Sequence, residues 1–113
     1  MQFMMLIHHD DELLAAAPPS LWNEYAAFNQ ALAKAGGTSG LRLEHASKGR
    51  AVTQRNGKTE LFDGPYMESK EQFAGYFMMD LPDVEQAVQW AARCPSAQYG
   101  TVEVRPIWPT RPQ

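Results

Sequence analysis

Phe73-Ala74-Gly75-Tyr76-Phe77-Met78-Met79 is an uninterrupted run of uncharged residues of strand length, and the other segments of the chain can be placed around it. A similar run, Phe3-Met4-Met5-Leu6-Ile7, opens the sequence. Strands that are apolar at consecutive positions, rather than at alternating ones, are typical of central strands buried on both faces. The two runs therefore predict two such strands.

An amphipathic helix is predicted after the first run. Apolar residues recur at helical spacing over Leu21–Ala35, Ser20 is placed to cap the helix, and Gly36-Gly37 ends the pattern. Beyond the glycines, residues 41–44 (Leu-Arg-Leu-Glu) alternate between apolar and charged side chains. This alternation predicts a half-buried strand.

A second helix and strand are predicted after the second run. Asp83 is placed to begin the helix, Gln86 completes a capping-box spacing, and Pro95 ends the pattern. The buried stripe of this helix is predicted to consist of Val84, Ala87, Val88 and Ala91. Residues Thr101–Arg105 then alternate strictly, which predicts a last strand that stops at Pro106.

A β-hairpin is predicted between the two halves. Ala51–Gln54 and Thr59–Phe62 are strand-like segments, and Asn56-Gly57 lies between them. An Asn-Gly pair flanked by two such segments is the strongest short-range hairpin signal, because a type I′ turn requires positive φ at both central residues.

The resulting order of elements predicts a single domain over residues 1–113 with an α+β fold. Two β-α-β halves of this length form a ferredoxin-like βαββαβ antiparallel sheet, here with an inserted hairpin and with both helices on one face. The other face would expose more apolar surface than soluble monomers normally tolerate. We therefore expect a homodimer in which two such faces meet across a two-fold axis.

Composition narrows the classes of partner. Ten Lys and Arg residues against 13 Asp and Glu give a net charge of −3, so the basic surface needed for nucleic acid is missing. The first apolar run is too short to span a bilayer and no basic segment precedes it, so we expect no membrane partner and a cytoplasmic location.

Cys94, the only cysteine, is predicted to be a packed, unreactive thiol in a reducing compartment. No cofactor is expected, because neither a glycine-rich phosphate loop nor a zinc motif is present.

Polar residues on either side of Gly64-Pro65 are candidates for a ligand site. Asp63 can hold the shape of its turn, or it can act as a general base at the mouth of a barrel. The charged residues that follow either form a solvated connection or face the dimer cleft and bind a polar ligand there. Two tyrosines could add phenolic hydroxyls, although aromatic residues beside strands usually belong to a core or an interface. The ligand-binding candidates are Tyr66, Glu68, Lys70, Glu71 and Tyr76.

The segment His8-His9-Asp10-Asp11-Glu12 contains metal-ligating residue types. In a strand these side chains alternate between faces, so each face would carry one His-x-Asp pair, which is too few ligands for a metal site. No metal is therefore expected. A histidine that titrates near neutral pH in a cleft is the alternative, and His8 is the preferred candidate because it extends the buried run.

Several segments together resemble a known family. Asp63-Gly64-Pro65-Tyr66, Glu68–Gln72 and Gly75-Tyr76-Phe77 resemble the central signature of the DGPF-domain branch of the YCII-related proteins. The opening strand, second helix and closing strand resemble that family in the same order, so the resemblance covers nearly the whole chain. It implies a ferredoxin-like subunit that dimerises into an α/β barrel.

The resemblance implies less about function. Some YCII-related proteins carry a histidine on the first helix and an Asp-Pro after the second, arranged as a suspected acid/base dyad. Here Leu21–Ala35 contains no histidine and Cys94 precedes Pro95, so the dyad does not carry over. Two classes of function remain: a protein that binds or converts a small polar ligand with Asp63 and His8, or a non-catalytic accessory protein. The second class is implied by the association of some DGPF-type proteins with extracytoplasmic-function sigma factors.

Overall fold

The computed structural model describes residues 1–65 and 69–109. Within them, four antiparallel strands form one sheet in the order β2-β5-β1-β6, and β3 and β4 form a separate two-stranded sheet. This α+β arrangement is consistent with the predicted ferredoxin-like fold. The elements are β1 (Gln2–Asp10), α1 (Asp11–Ala15), α2 (Leu21–Lys34), β2 (Thr38–Arg42), β3 (Arg50–Arg55), β4 (Lys58–Asp63), β5 (Glu71–Asp80), α3 (Val84–Arg93) and β6 (Gly100–Pro106).

The predicted hairpin is confirmed. Strands β3 and β4 pair from Arg50–Asp63 to Arg55–Lys58. The turn residues Asn56 and Gly57 have φ angles of 52° and 78°, the left-handed conformation that a type I′ turn requires at both positions. The hairpin is a separate extension of the fold, and every side chain of β4 is exposed.

Within the subunit, the two central strands bury one face. Phe3, Met5, Phe77 and Met79 are at most 3% exposed and pack against α2 and α3. Their neighbours on the opposite face are only half-buried. This opposite surface, which we call the bare face, carries Met4, Leu6, His8, Tyr76 and Met78, as the strand pairing shows.

Two expectations about apolar burial on other elements were wrong. Val84 and Val88 are 45% and 53% exposed, because α3 turns Ala87 and Ala91 toward the sheet instead. Leu41 is 71% exposed rather than half-buried, because a register irregularity between Ser39 and Arg42 breaks the alternation of β2.

The ends of the helices also differ from the prediction in part. A short helix that the sequence analysis does not predict, α1, follows β1, and Asp10 caps it by accepting hydrogen bonds from the backbone amides of Glu12 and Leu13. Ser20 precedes α2 but its side chain makes no capping hydrogen bond. Asp83 does cap α3, accepting from the Gln86 amide at 3.0 Å.

Candidate functional site

Two clefts flank the sheet, and the larger one lies between α2 and the edge strand β2. This helix–sheet cavity has a volume of about 740 Å³. Its wall is mainly apolar and aromatic. Its polar lining residues include His9, Tyr25, Asn29, Ser39, Arg42 and Cys94.

His9 lies at the end of β1 and reaches the helix side of the sheet. Its Nε2 is hydrogen-bonded to Oγ of Ser96 at 2.8 Å, and the Ser96 side chain is 1% exposed. Burial lowers the pKa of His9, and the positive charge of Arg42 lowers it further. The imidazole is therefore neutral at pH 7 and has one donor and one acceptor nitrogen.

Tyr25 and Cys94 meet between α2 and the end of α3. The tyrosine hydroxyl lies 4.0 Å from the Cys94 sulfur, the length of a weak sulfur hydrogen bond. Burial raises the pKa of both groups, so the phenol and the thiol remain protonated at neutral pH. These two groups can donate hydrogen bonds, whereas a nucleophilic role for Cys94 would need a thiolate.

Arg42 lies at the mouth of the cavity. Its guanidinium carbon lies 5.2 Å from the centre of the Trp22 ring, within the range of a cation–π contact. Arg42 is the only Lys, Arg, Asp or Glu among the described residues that line the cavity. The cavity thus combines one positive charge with neutral hydrogen-bonding groups.

The smaller cleft, of about 700 Å³, lies beside the hairpin and contains some of the predicted site residues. His8 and Glu71 line it, together with His45 and Arg50. His8 Nε2 lies 3.2 Å from a carboxylate oxygen of Glu103, and its ring lies against Phe73 at 5.6 Å between ring centres. This hairpin cleft is next to the bare face, because His8 belongs to both.

The remaining predicted site residues are scattered. Asp63 does not line the hairpin cleft; its carboxylate accepts a hydrogen bond from Arg50 Nε at 2.9 Å and its side chain is 87% exposed. Lys70 Nζ lies 3.6 Å from the buried Asp10 carboxylate. Tyr76 borders the helix–sheet cavity, but it pairs with Leu6 and its side chain therefore belongs to the bare face. Tyr66 and Glu68 lie outside the described residues.

Within residues 1–65 and 69–109, no three His, Cys, Asp or Glu side chains lie close enough together to hold a metal ion. Among those residues, no helix is long and apolar enough to cross a membrane.

Comparison with known proteins identifies the family of the chain. A family model for the YCII-related domain matches residues 1–111. The chain belongs to the YCII-related domain family. An uncharacterized protein of Rhizobium meliloti (strain 1021) is 31% identical over 68 residues, which cover 58% of this chain and 55% of that relative. The chain therefore matches about half the length of this curated relative.

Tyr25 of α2, the first long helix, contacts Cys94, the residue before Pro95. The histidine and the Asp-Pro of the suspected family dyad are absent from these two elements. Because the phenol and the thiol are both protonated at neutral pH, this pair favours hydrogen-bond donation over general acid/base catalysis.

The sequence pattern did not single out most of this site. The helical spacing indicates Tyr25 only as part of a buried stripe, and the alternation indicates Arg42 only as a polar residue in a strand. His9 was recognised, but His8 was preferred because it continues the apolar run. Alternation along β1 was the available signal, since it places the two histidines on opposite faces.

Burial of Cys94 leads to a direct prediction. The side chain is 1% exposed and its pKa is raised, so we expect a thiol reagent such as DTNB to label the native protein far more slowly than the urea-unfolded protein. Absorbance at the thionitrobenzoate band gives both rates, and the unfolded sample provides the maximum. Equal rates in the two states would contradict an inert, packed thiol.

Proposed function

We propose that this YCII-related domain forms a homodimer and that each subunit binds a small organic molecule in its helix–sheet cavity. The observation that carries the proposal is the cavity itself. Its volume of about 740 Å³ falls within the range of small-molecule sites, and such sites typically combine apolar walls with a few convergent polar groups. His9, Tyr25 and Arg42 are the groups proposed to orient the ligand.

The protonation states of the lining groups support binding as the main activity. His9 is neutral, and Tyr25 and Cys94 retain their protons, so the cavity offers several uncharged hydrogen-bonding groups at neutral pH. Of the catalytic residues predicted from the sequence, His8 lines only the hairpin cleft and Asp63 lines neither cleft, so neither can act on a ligand in the helix–sheet cavity.

The dimer is proposed from the shape of the subunit and the chemistry of its bare face. The subunit measures 47 × 47 × 19 Å, and its radius of gyration of 16.2 Å exceeds the value of about 13 Å typical of a compact chain of this length. The smallest dimension is that of one sheet covered by one layer of helices. Half-buried Met4, Leu6 and Met78 lie on the uncovered side, where an identical face could complete a third and fourth layer.

Filling the helix–sheet cavity should test the binding proposal. Ala26 lies on the exposed side of α2 and lines the cavity, so Ala26→Trp should occupy the cavity while affecting folding little. The matched control is Ala27→Trp, on the same helix, exposed, and outside the cavity lining. Fluorescence of a neutral apolar dye, 1-aminoanthracene, reports occupancy.

We expect the dye to bind the wild-type protein and the Ala27→Trp variant with similar affinity, and to bind Ala26→Trp at least about tenfold more weakly because bulky indole atoms replace the dye. Mass spectrometry of small molecules extracted from the purified protein provides a second measurement. Equal dye binding by both tryptophan variants would show that the helix–sheet cavity is not the binding site.

A further inference from the structure

The charge distribution around the helix–sheet cavity is one-sided. The protein carries 13 Asp and Glu residues and a net charge of −3, yet none of the described lining residues is acidic. Arg42 makes no ion pair with a carboxylate of the described residues, whereas Lys48, Arg50, Lys70 and Arg105 each do. An unpaired cation at the mouth of a cavity without acidic lining residues favours an anionic ligand.

The geometry of Arg42 restricts the anion to one that a single guanidinium can hold. Because the Trp22 ring lies 5.2 Å from the guanidinium carbon, the indole restrains the group while the N–H donors stay available. The planar fork of arginine matches a carboxylate in a bidentate arrangement. A phosphate ester would normally be bound by several cations or by a glycine-rich loop, and the described lining residues contain neither.

The walls of the cavity restrict the rest of the ligand. Aromatic side chains form much of the lining, and aromatic groups stack or pack edge-to-face with other rings. They come from α2 and β5: Trp22, Tyr25, Phe28 and Phe77. Tyr25 and His9 could bond a second polar substituent deeper in the cavity.

From these observations we propose that the helix–sheet cavity binds a planar aromatic monocarboxylate, with its carboxylate on Arg42 and its ring against the aromatic wall. This proposal rests on the proposed function, because it names the class of ligand for the same cavity. It assigns Arg42 as the residue that determines charge specificity.

Isothermal titration calorimetry with matched probes tests the proposal. The probes are 2-naphthoate, its neutral isostere 2-naphthamide, the non-planar decahydro-2-naphthoate, and 2-naphthyl phosphate. We expect the wild-type protein to bind 2-naphthoate about tenfold or more tightly than each of the others. The amide loses the charge-assisted hydrogen-bond pair with Arg42, and the decahydro acid loses the planar ring that stacks on the aromatic wall. The phosphate lacks the planar carboxylate that matches the fork of one guanidinium. Comparable affinity for the decahydro acid, or tighter binding of the phosphate, would overturn the assignment to a planar carboxylate.

Two arginine variants locate the charge selectivity. Arg42→Gln should lower affinity for 2-naphthoate about tenfold or more and leave affinity for 2-naphthamide unchanged. Arg93→Gln is the matched control, because Arg93 also lies over a tryptophan, 4.2 Å from the Trp90 ring centre, but does not line the cavity. We expect it to bind both probes as the wild type does. An unchanged naphthoate affinity in Arg42→Gln would overturn the role of Arg42.

The same titrations separate failure of the ligand class from failure of the binding site. If 2-naphthamide binds as tightly as 2-naphthoate and Ala26→Trp weakens both, the cavity is a binding site but the preference for an anion is wrong. If Ala26→Trp changes the binding of neither probe, the proposed function itself is wrong, and the ligand class fails with it.

Discussion

The Gly100→Ala variant should lose a large share of the stability of the folded protein. Gly100 pairs with His9 across β6 and β1, and a Cβ at position 100 would overlap the backbone carbonyl of His8. That carbonyl belongs to a central strand hydrogen-bonded on both sides, so it cannot move aside as a side chain could. We expect a loss of about 3 kcal/mol or more, out of the roughly 5–15 kcal/mol typical of a domain.

Urea denaturation followed by circular dichroism measures this loss. Gly49→Ala is the control. A Cβ at position 49 would have one neighbour within 4 Å, the carbonyl oxygen of Ala46 at 3.3 Å. Gly49 also has a negative φ of −90°, which alanine adopts without strain. Its expected cost is below about 1 kcal/mol, within the range of ordinary surface substitutions. A Gly100→Ala midpoint equal to that of the wild type would contradict the close approach of the two strands.

Local chemistry made the order of elements predictable from sequence. The Asn56-Gly57 turn, the Asp83 cap and the end of α3 before Pro95 each depend on residues within a few positions of one another. Helix α1 could also have been predicted, because an aspartate followed by Asp11-Glu12 is a typical helix N-terminus. The acidic run is instead interpreted from the sequence as strand residues with metal-ligating side chains.

The site was harder to predict because it depends on register and orientation. Strand pairing shifts between Ile7 and His8, where one residue of β5, Ala74, has no partner on β1. Such a bulge determines which side chains oppose each other, and its position has no clear local signal. The bulge accompanies the placement of His8 beside Phe73, while His9 reaches Ser96 on the other side of the sheet.

Burial of the helices shows the same limit. Periodicity correctly indicated that α3 has an apolar stripe, but Ala87 and Ala91 contact the sheet, whereas the larger Val84 and Val88 remain exposed. Small residues allow a helix to lie close to a sheet, so tertiary packing decides which part of the stripe is buried. The cavity beside α2 is equally a product of packing, since its lining comes from residues as far apart as Ile7 and Cys94.

The Leu6→Glu variant is expected to convert the proposed dimer into a monomer. Leu6 lies near the middle of the bare face, flanked by Tyr76 on β5 and Glu103 on β6 in the strand pairing. In a two-fold dimer the new carboxylate would be desolvated close to its own symmetry mate and to Glu103, which costs several kcal/mol. Sedimentation equilibrium at micromolar concentration should give twice the 12.7 kDa chain mass for the wild type and 12.7 kDa for the variant.

Val88→Glu is the matched control, because Val88 is also an exposed apolar residue, 53% accessible, but it lies on α3 on the other side of the sheet. This variant should remain dimeric, since its new charge stays in water.

Met4→Lys, on the same face as Leu6, provides a second test with the opposite charge, and circular dichroism verifies that each variant is folded. The dimer proposal requires that a second copy buries the bare face. A wild-type protein that sediments as a folded 12.7 kDa monomer would therefore refute the dimer. The helix–sheet cavity would then be a site within a single subunit.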